Sequence, residues 1–470
     1  MYTLGIDSST QSIKALVFDT EANKVVVTVN VNFGKELPEY GCKDGFLPNA
    51  DPLIKESNPL MWLSGLDLVL SKLQKAFDTS KIAAVGGDGQ QHGSVYLKSD
   101  WRKALAEVSA GSDRSLAEIF SGAFSRERSP IWMDGSTSAE CREIEAAIGG
   151  ARRMQELTGS PAIERFTGPQ IRRFAKLSPE KWENTETVHL VSSFLASVMS
   201  GASAPIDIGD GAGMNLLDLN TLDWNTEICD ATAPKLIERL PKVYRPNDKT
   251  PLSLASYFAK YGLKPGIPVV PFTGDNPASL VGTGADKPGI AVISLGTSDV
   301  FFAAMDRFQV DPDGYGHVFG NPSGGCMSLA CIKNGSLARE KVREMVGCDY
   351  RFFDETAFEL VPFNDLKAFP YFESEITPLH PATGLDANFN WDAASDAEKV
   401  VAVIRAQITN MFERTRWIGS FDVIRVTGGA SRSRGIRDTI ATIFNAKVET
   451  LDVPDSAALG GAILAARALA

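Results

Sequence analysis

Four segments of this chain set a carboxylate or a hydroxyl in a tight or glycine-bearing turn, each directly after an apolar run. They are Asp7-Ser8-Ser9-Thr10, Gly86-Gly87-Asp88-Gly89-Gln90-Gln91-His92-Gly93, Thr273-Gly274-Asp275-Asn276-Pro277 and Thr427-Gly428-Gly429-Ala430-Ser431. Hydroxyls and backbone N–H groups in a tight turn form an anion cradle, and a carboxylate at a strand end can hold a cation against that anion. Glycine lets a ligand approach the backbone closely, and loops that follow buried strands collect at the ligand edge of a sheet. The chemistry suggested is the handling of a phosphate together with a cation. No GxxxxGK[ST] motif occurs, so a P-loop is excluded as the cradle.

The elements that must position these groups begin with residues 2–19, an apolar strand ending at Asp7, the turn Ser8-Ser9-Thr10-Gln11-Ser12, and a second strand. Residues 289–306 repeat this grammar: placing Asp7 over Ser294 also places Thr10 over Thr297 and Asp19 over Asp306. Such a repeat implies two similar domains, each presenting a phosphate-facing hairpin. The turn-rich stretch 241–251 is read as the boundary, giving domains 1–248 and 249–470. A helix is expected from Pro59, with Asn58 before it, and buried strands at 82–85, 131–134 and 423–426. Residues 327–346 read as an interrupted helix and 395–418 as a long amphipathic one. The small residues from Ala457 onward form a last helix, explained equally by close packing or by a ligand over its start.

A chain of 470 residues with 44% hydrophobic residues suits two globular domains. Its formal charge of −11 disfavours a nucleic-acid or anionic-membrane surface. The opening residues carry no signal-peptide pattern and no apolar run reaches spanning length, so a cytoplasmic protein is expected. Six scattered cysteines without a CxxC pair and four isolated histidines suggest neither a disulfide scaffold nor a zinc site.

Taken together, Asp7 with its Ser-Ser-Thr turn, Gly89-Gln90-Gln91-His92-Gly93, Gly274-Asp275-Asn276-Pro277-Ala278, Leu295-Gly296-Thr297-Ser298 and Thr427-Gly428-Gly429-Ala430-Ser431 resemble the FGGY carbohydrate kinases in order and spacing. The stretches GGDGQQHGSVY, SPIWMDGST, ERFTGPQI and KNGSLAREK are similar to the eukaryotic subgroup that acts on D-xylulose. The resemblance implies an α/β fold of two ribonuclease-H-like domains, of the actin and hexokinase type, with a central cleft. It also implies transfer of the γ-phosphoryl of Mg-ATP to a sugar hydroxyl, with D-xylulose and ATP as ligands and neither nucleic acid nor membrane as partner. A monomer and a homodimer both fit this reading.

On the same resemblance, Asp275 is the base that accepts the proton of the attacking hydroxyl, although an aspartate there also suits a helix cap. His92, Arg165, Asp275 and Asn276 contact sugar, and Asp7 holds Mg2+ through water. Ser9, Thr10, Lys14, Gly296, Thr297 and Ser298 face phosphate oxygens, while Gly428, Gly429 and Ser433 lie along adenosine. Ser9 departs from the family, which usually has glycine there. Tyr350, Phe352 and Phe353 are the candidates for stacking on adenine. Two alternatives stay open: a kinase for another ketopentose or a pentitol, and an actin-like ATP-binding switch without sugar kinase activity.

Overall fold

The computed structural model describes residues 1–470 apart from 247, 250, 251 and 470. The chain divides into two compact units. The first comprises Met1–Gly282, Phe319–Gly324 and Asp455–Ala470, the second Thr283–Val318 and Gly325–Pro454.

In the first unit, strands β1 (Tyr2–Ser8), β2 (Ser12–Asp19) and β3 (Lys24–Asn32) form an antiparallel meander. Leu4, Ile6, Ile13, Ala15 and Val17 are fully buried, as alternating apolar strands predict. Helix α1 (Pro59–Ala76) begins where Asn58 caps the Leu60 N–H at 3.0 Å, with proline in its first turn. It seats Met61, Trp62, Leu66, Leu70 and Leu73 in the core, the spacing of a single helical face.

Strand β4 (Ile82–Gly89) then pairs parallel to β1, and β5 (Leu252–Ser253), β6 (Pro268–Val269) and β7 (Thr273–Gly274) complete the sheet on the far side of β4. Because these late strands close the first sheet, the division falls after Gly282 and not at 248/249 as the composition of 241–251 suggested. Residues 247, 250 and 251 of that span lie outside the described residues.

The second unit repeats the plan. Strands β8 (Ile290–Leu295), β9 (Asp299–Met305) and β10 (Cys326–Ile332) are an antiparallel meander, and β11 (Val423–Thr427) and β12 (Lys447–Thr450) add in parallel beside β8. The first two strands of each unit are thus superposed by the constant offset read from the sequence. The expected helix at 327–346 is corrected: its first part is β10, paired residue by residue with β9 from Met305↔Cys326 to Asp299↔Ile332, and only Ser336–Val346 is helical. Likewise 131–134 is a turn closed by Asp134 N–H on the Ile131 carbonyl, the strand being confined to Ser129–Pro130.

The last helix, α3 (Ser456–Arg467), lies over β1 and β4 beside α2 (Asp275–Gly282), all within the first unit. Its small residues serve close packing. A Cβ on Gly5 would fall 1.9 Å from the Ala458 carbonyl oxygen, one on Gly86 2.2 Å from that of Gly461, and one on Gly460 1.9 Å from that of Ala278. The two helices and the sheet therefore meet backbone to backbone, which only glycine allows.

Candidate active site

The adjacent strand ends of the first unit bring three acids together. Asp7 and Asp88 are register partners on β1 and β4, and Thr273 of β7 pairs with Asp88, so Asp275 follows at the next strand end. Asp7 is 5% exposed and Asp88 not at all; Oδ1 of Asp7 and both oxygens of Asp88 are buried with no partner. Burial pushes the Asp88 carboxyl well above the usual carboxylate range, and the charges of Asp7 and Asp275 add to the effect. Asp7 is raised for the same first reason, opposed by the Lys14 ammonium.

Lys14, the neighbour of Asp7 across the meander, bridges Asp455 at 2.7 Å and Asp7 at 3.7 Å. Burial alone would lower its pKa, but the two carboxylates outweigh burial and raise it. Sequence reading assigned Lys14 to phosphate; its observed partners are these two acids.

Asp275, at the start of α2, is half-buried. Its Oδ1 accepts from the Asn276 N–H (2.9 Å), the Asn276 side-chain amide (3.2 Å) and the Gln91 N–H (3.3 Å). Among the described residues Oδ2 accepts nothing. Burial, then the Asp7 charge, pushes the Asp275 carboxyl up to about 7, while the Gln91 and Asn276 N–H groups hold it down. The Asn276 amide also donates to Gln91 Oε1 at 2.9 Å, which locks the carboxylate against the 89–93 loop. Asp207 and Asp210, fully within this core, were not singled out from sequence. Asp207 caps the Gly209 N–H at 2.8 Å and accepts from Thr273, and Asp210 accepts from Ser192. Burial raises Asp207 to about 6 and Asp210 well above the carboxylate range.

His92 adopts φ = 71°, a left-handed conformation uncommon for a side chain this large. Its Nδ1 donates to the Gly213 carbonyl at 2.8 Å, which fixes the orientation of the ring. The ring stacks on Phe166 at 4.1 Å, and Arg165 lies half-buried with its guanidinium 5.6 Å from the same Phe166 ring. His92, Gln91, Asp275, Asn276 and the Arg165–Phe166 segment therefore belong to one neighbourhood of the first unit. Ser9 turns its hydroxyl onto the Ser12 carbonyl at 3.0 Å, and Thr10 Oγ1 accepts from the indole of Trp132 at 2.7 Å. Trp132 is 44% exposed.

In the second unit, Gly296, Thr297 and Ser298 form the turn between β8 and β9. The Ser336 N–H donates to the Gly296 carbonyl at 2.9 Å, and a Cβ on Gly335 would fall 2.7 Å from the Asp299 nitrogen. This turn is anchored by Asp299, whose two oxygens take a buried fork from Arg339 at 2.6 and 2.8 Å. Gly428 has φ = 90° and leans on Leu295, while Gly429 faces open space. Ser433 is 3% exposed and caps the helix Arg434–Phe444 through the Ile436 N–H, so its hydroxyl is already engaged within the protein. Of the aromatic candidates, Phe353 is buried, Phe352 is half-buried and Tyr350 donates to Glu340 at 3.0 Å.

Each unit is a meander extended by parallel strands, the first ending in a carboxylate set and the second in a hydroxyl turn, which makes a two-domain α/β architecture with groups suited to handling phosphate. The sequence agrees: residues 127–282 match the N-terminal domain and 291–469 the C-terminal domain of the FGGY family of carbohydrate kinases, to which the chain belongs. Members of that family use ATP as phosphoryl donor. The chain is 40% identical to xylulose kinase 2 of Arabidopsis thaliana, covering 98% of this chain and 86% of that protein. It is 39% identical to the xylulose kinase of Rattus norvegicus, covering 99% and 88%. The solved structure of a xylulose kinase from Rhodospirillum rubrum superposes with a TM-score of 0.82 at 18% identity, over 100% of this chain and 90% of that one. No helix among the described residues is long and apolar enough to cross a membrane.

Proposed function

We propose that this chain transfers the terminal phosphoryl group of ATP to the 5-hydroxyl of D-xylulose, giving D-xylulose 5-phosphate and ADP. The observation that carries this reading is the two-sided state of Asp275: one oxygen held by three donors, the other open, in surroundings that lift its pKa to about 7. A base must be fixed in place, offer a free lone pair and titrate near the working pH. Oδ2 of Asp275 then accepts the proton of the sugar hydroxyl as its oxygen bonds to phosphorus. Phosphoryl transfer depends chiefly on positioning and charge neutralisation, so this orientation matters more than basicity.

His92, Arg165 and Asn276 are the sugar contacts in this reading, each offering directional groups to a polyhydroxy ligand. The relatives named as xylulose kinases support D-xylulose over other ketopentoses and pentitols. Ser9, Thr10 and Lys14 of the first unit, and Gly296, Thr297 and Ser298 of the second, serve the phosphate chain; Gly428 and Gly429 give the nucleotide an approach to backbone, and Ser433 shapes that approach by capping the helix behind it.

Magnesium fits the donor set. Asp7 offers a buried oxygen without a partner. An ion that keeps much of its water and binds nucleotide phosphates needs only one or two carboxylates. Asp7 would hold it, through water, and the ion would supply neutralisation of phosphate charge.

The test is ADP release from Mg-ATP with D-xylulose, D-ribulose, xylitol and glycerol as acceptors. D-xylulose should give the highest kcat/KM by at least tenfold. Equal, slow release with every acceptor would reject sugar kinase activity, and a clear preference for another acceptor would reassign the substrate.

A further inference from the structure

A cavity of about 340 Å3 in the first unit is lined by Arg126, Arg128, Arg173 and Lys181, with Glu56 and Asp134 at its side. That volume lies at the lower end of the roughly 300–1,000 Å3 typical of small-molecule sites. Four cationic side chains around one hollow stand out in a chain whose formal charge is −11. Their pairing states matter more than their number. Arg128, Arg173 and Lys181 make no side-chain hydrogen bond or ion pair among the described residues. Arg126 gives Nη2 to Glu56 at 2.9 Å and lays its guanidinium 5.2 Å from the Tyr96 ring and 5.3 Å from that of Phe174, yet its Nη1 is buried with no partner.

The acids of the lining do not neutralise these groups. Glu56 is committed to Arg126. Both oxygens of Asp134 are filled by donors from its own surroundings: Oδ2 by the Lys55 N–H at 2.9 Å, Oδ1 by Ser136 and by the Gln170 amide at 2.8 Å. Glu127 remains; it is exposed, as are Arg128 and Lys181, while Arg173 is half-buried. A hollow whose unengaged cationic side chains outnumber its one unengaged carboxylate, Glu127, is complementary to an anion with many lone pairs. Guanidinium forks match a tetrahedral oxyanion better than a single carboxylate, since two forks and an ammonium can share three oxygens.

We propose that this cavity is a second anion site, separate from the Asp7–Asp88–Asp275 cluster, and that it takes a phosphoryl group, either inorganic phosphate or the phosphate of a pentose phosphate. Its wall is joined to the segment bearing Arg165, because the Gln170 amide that donates to Asp134 also donates to the Glu164 carbonyl at 3.1 Å.

The test is calorimetric titration of inorganic phosphate and, separately, of D-ribose 5-phosphate into the whole protein already saturated with a non-hydrolysable ATP analogue, which keeps the transfer site filled. Binding at one equivalent in either arm is expected, weakened at least tenfold in Arg128→Gln/Arg173→Gln, whose thermal unfolding should match the parent because both side chains are unpaired. Binding in the phosphate arm assigns the free ion as ligand, and binding only in the sugar-phosphate arm assigns the ester. No binding in either arm, or equal affinity in the double variant, would overturn the proposal. The same titration reads the site whether or not the protein phosphorylates D-xylulose.

Discussion

Replacing Asp275 by asparagine should separate catalysis from stability in one variant. The asparagine keeps the shape and the Oδ1 acceptor, so the bonds from Gln91 and Asn276 survive, but it removes the charge and the base. Loss of a positioned base costs about 10²- to 10⁴-fold in kcat. Stability should move the other way. The carboxyl is raised from 3.8 to about 7 by burial and by Asp7, so the folded protein binds more protons than the unfolded chain between those values. Stability therefore falls as pH rises from about 4 to about 7, and the full penalty is present above 7. A rise of this size corresponds to about 4 kcal/mol, reduced by solvent screening of the half-buried group to about 1–3 kcal/mol. Asp275→Asn should thus match the wild type near pH 4 and exceed it by about 1–3 kcal/mol at pH 8 in urea unfolding, with ADP release nearly abolished. A variant equally active within threefold, or one destabilised at pH 8, would refute the reasoning.

The wild-type kcat/KM should rise with pH along an acid limb near 7, following Asp275; a limb near 4 would contradict the raised pKa. His92→Ala should raise KM for D-xylulose about ten- to a hundredfold, with less effect on KM for ATP, measured by steady-state kinetics. Arg339→Met strands buried Asp299 beneath the Thr297–Ser298 turn and should cost about 3–5 kcal/mol in chemical denaturation, partly recovered by adding Asp299→Leu. Gly5→Ala forces a methyl to within 1.9 Å of the Ala458 carbonyl and should destabilise by about 1–3 kcal/mol or more, read as a lower Tm; an unchanged Tm would show that the helix shifts without cost.

The linear chain already determined the two-fold plan. Apolar alternation placed the strands around Leu4, Ile6, Ile13 and Val17, and the offset that carries Thr10 onto Thr297 and Asp19 onto Asp306 marked the repeat, because strand period and turn chemistry are local properties. The motif residues Asp7, His92, Asp275 and Asn276 were legible in the same way. Pairing decided the rest. Residues 327–332 read as helix until β9 supplies their partner, and Pro268–Val269 belongs to the first unit only because β4 lies beside it. Asp88 stood in plain view, but its role as neighbour of Asp7 follows from parallel register, which no local spacing encodes. The final helix shows the same limit: its glycines were visible from Gly460 onward, while their purpose, backbone lying 1.9 Å from the absent methyl of Gly460 and 2.6 Å from that of Gly461, arises from distant chain segments. Local sequence fixes which residues carry charge and where strands begin; the free energy of burying them together decides which charges must face one another.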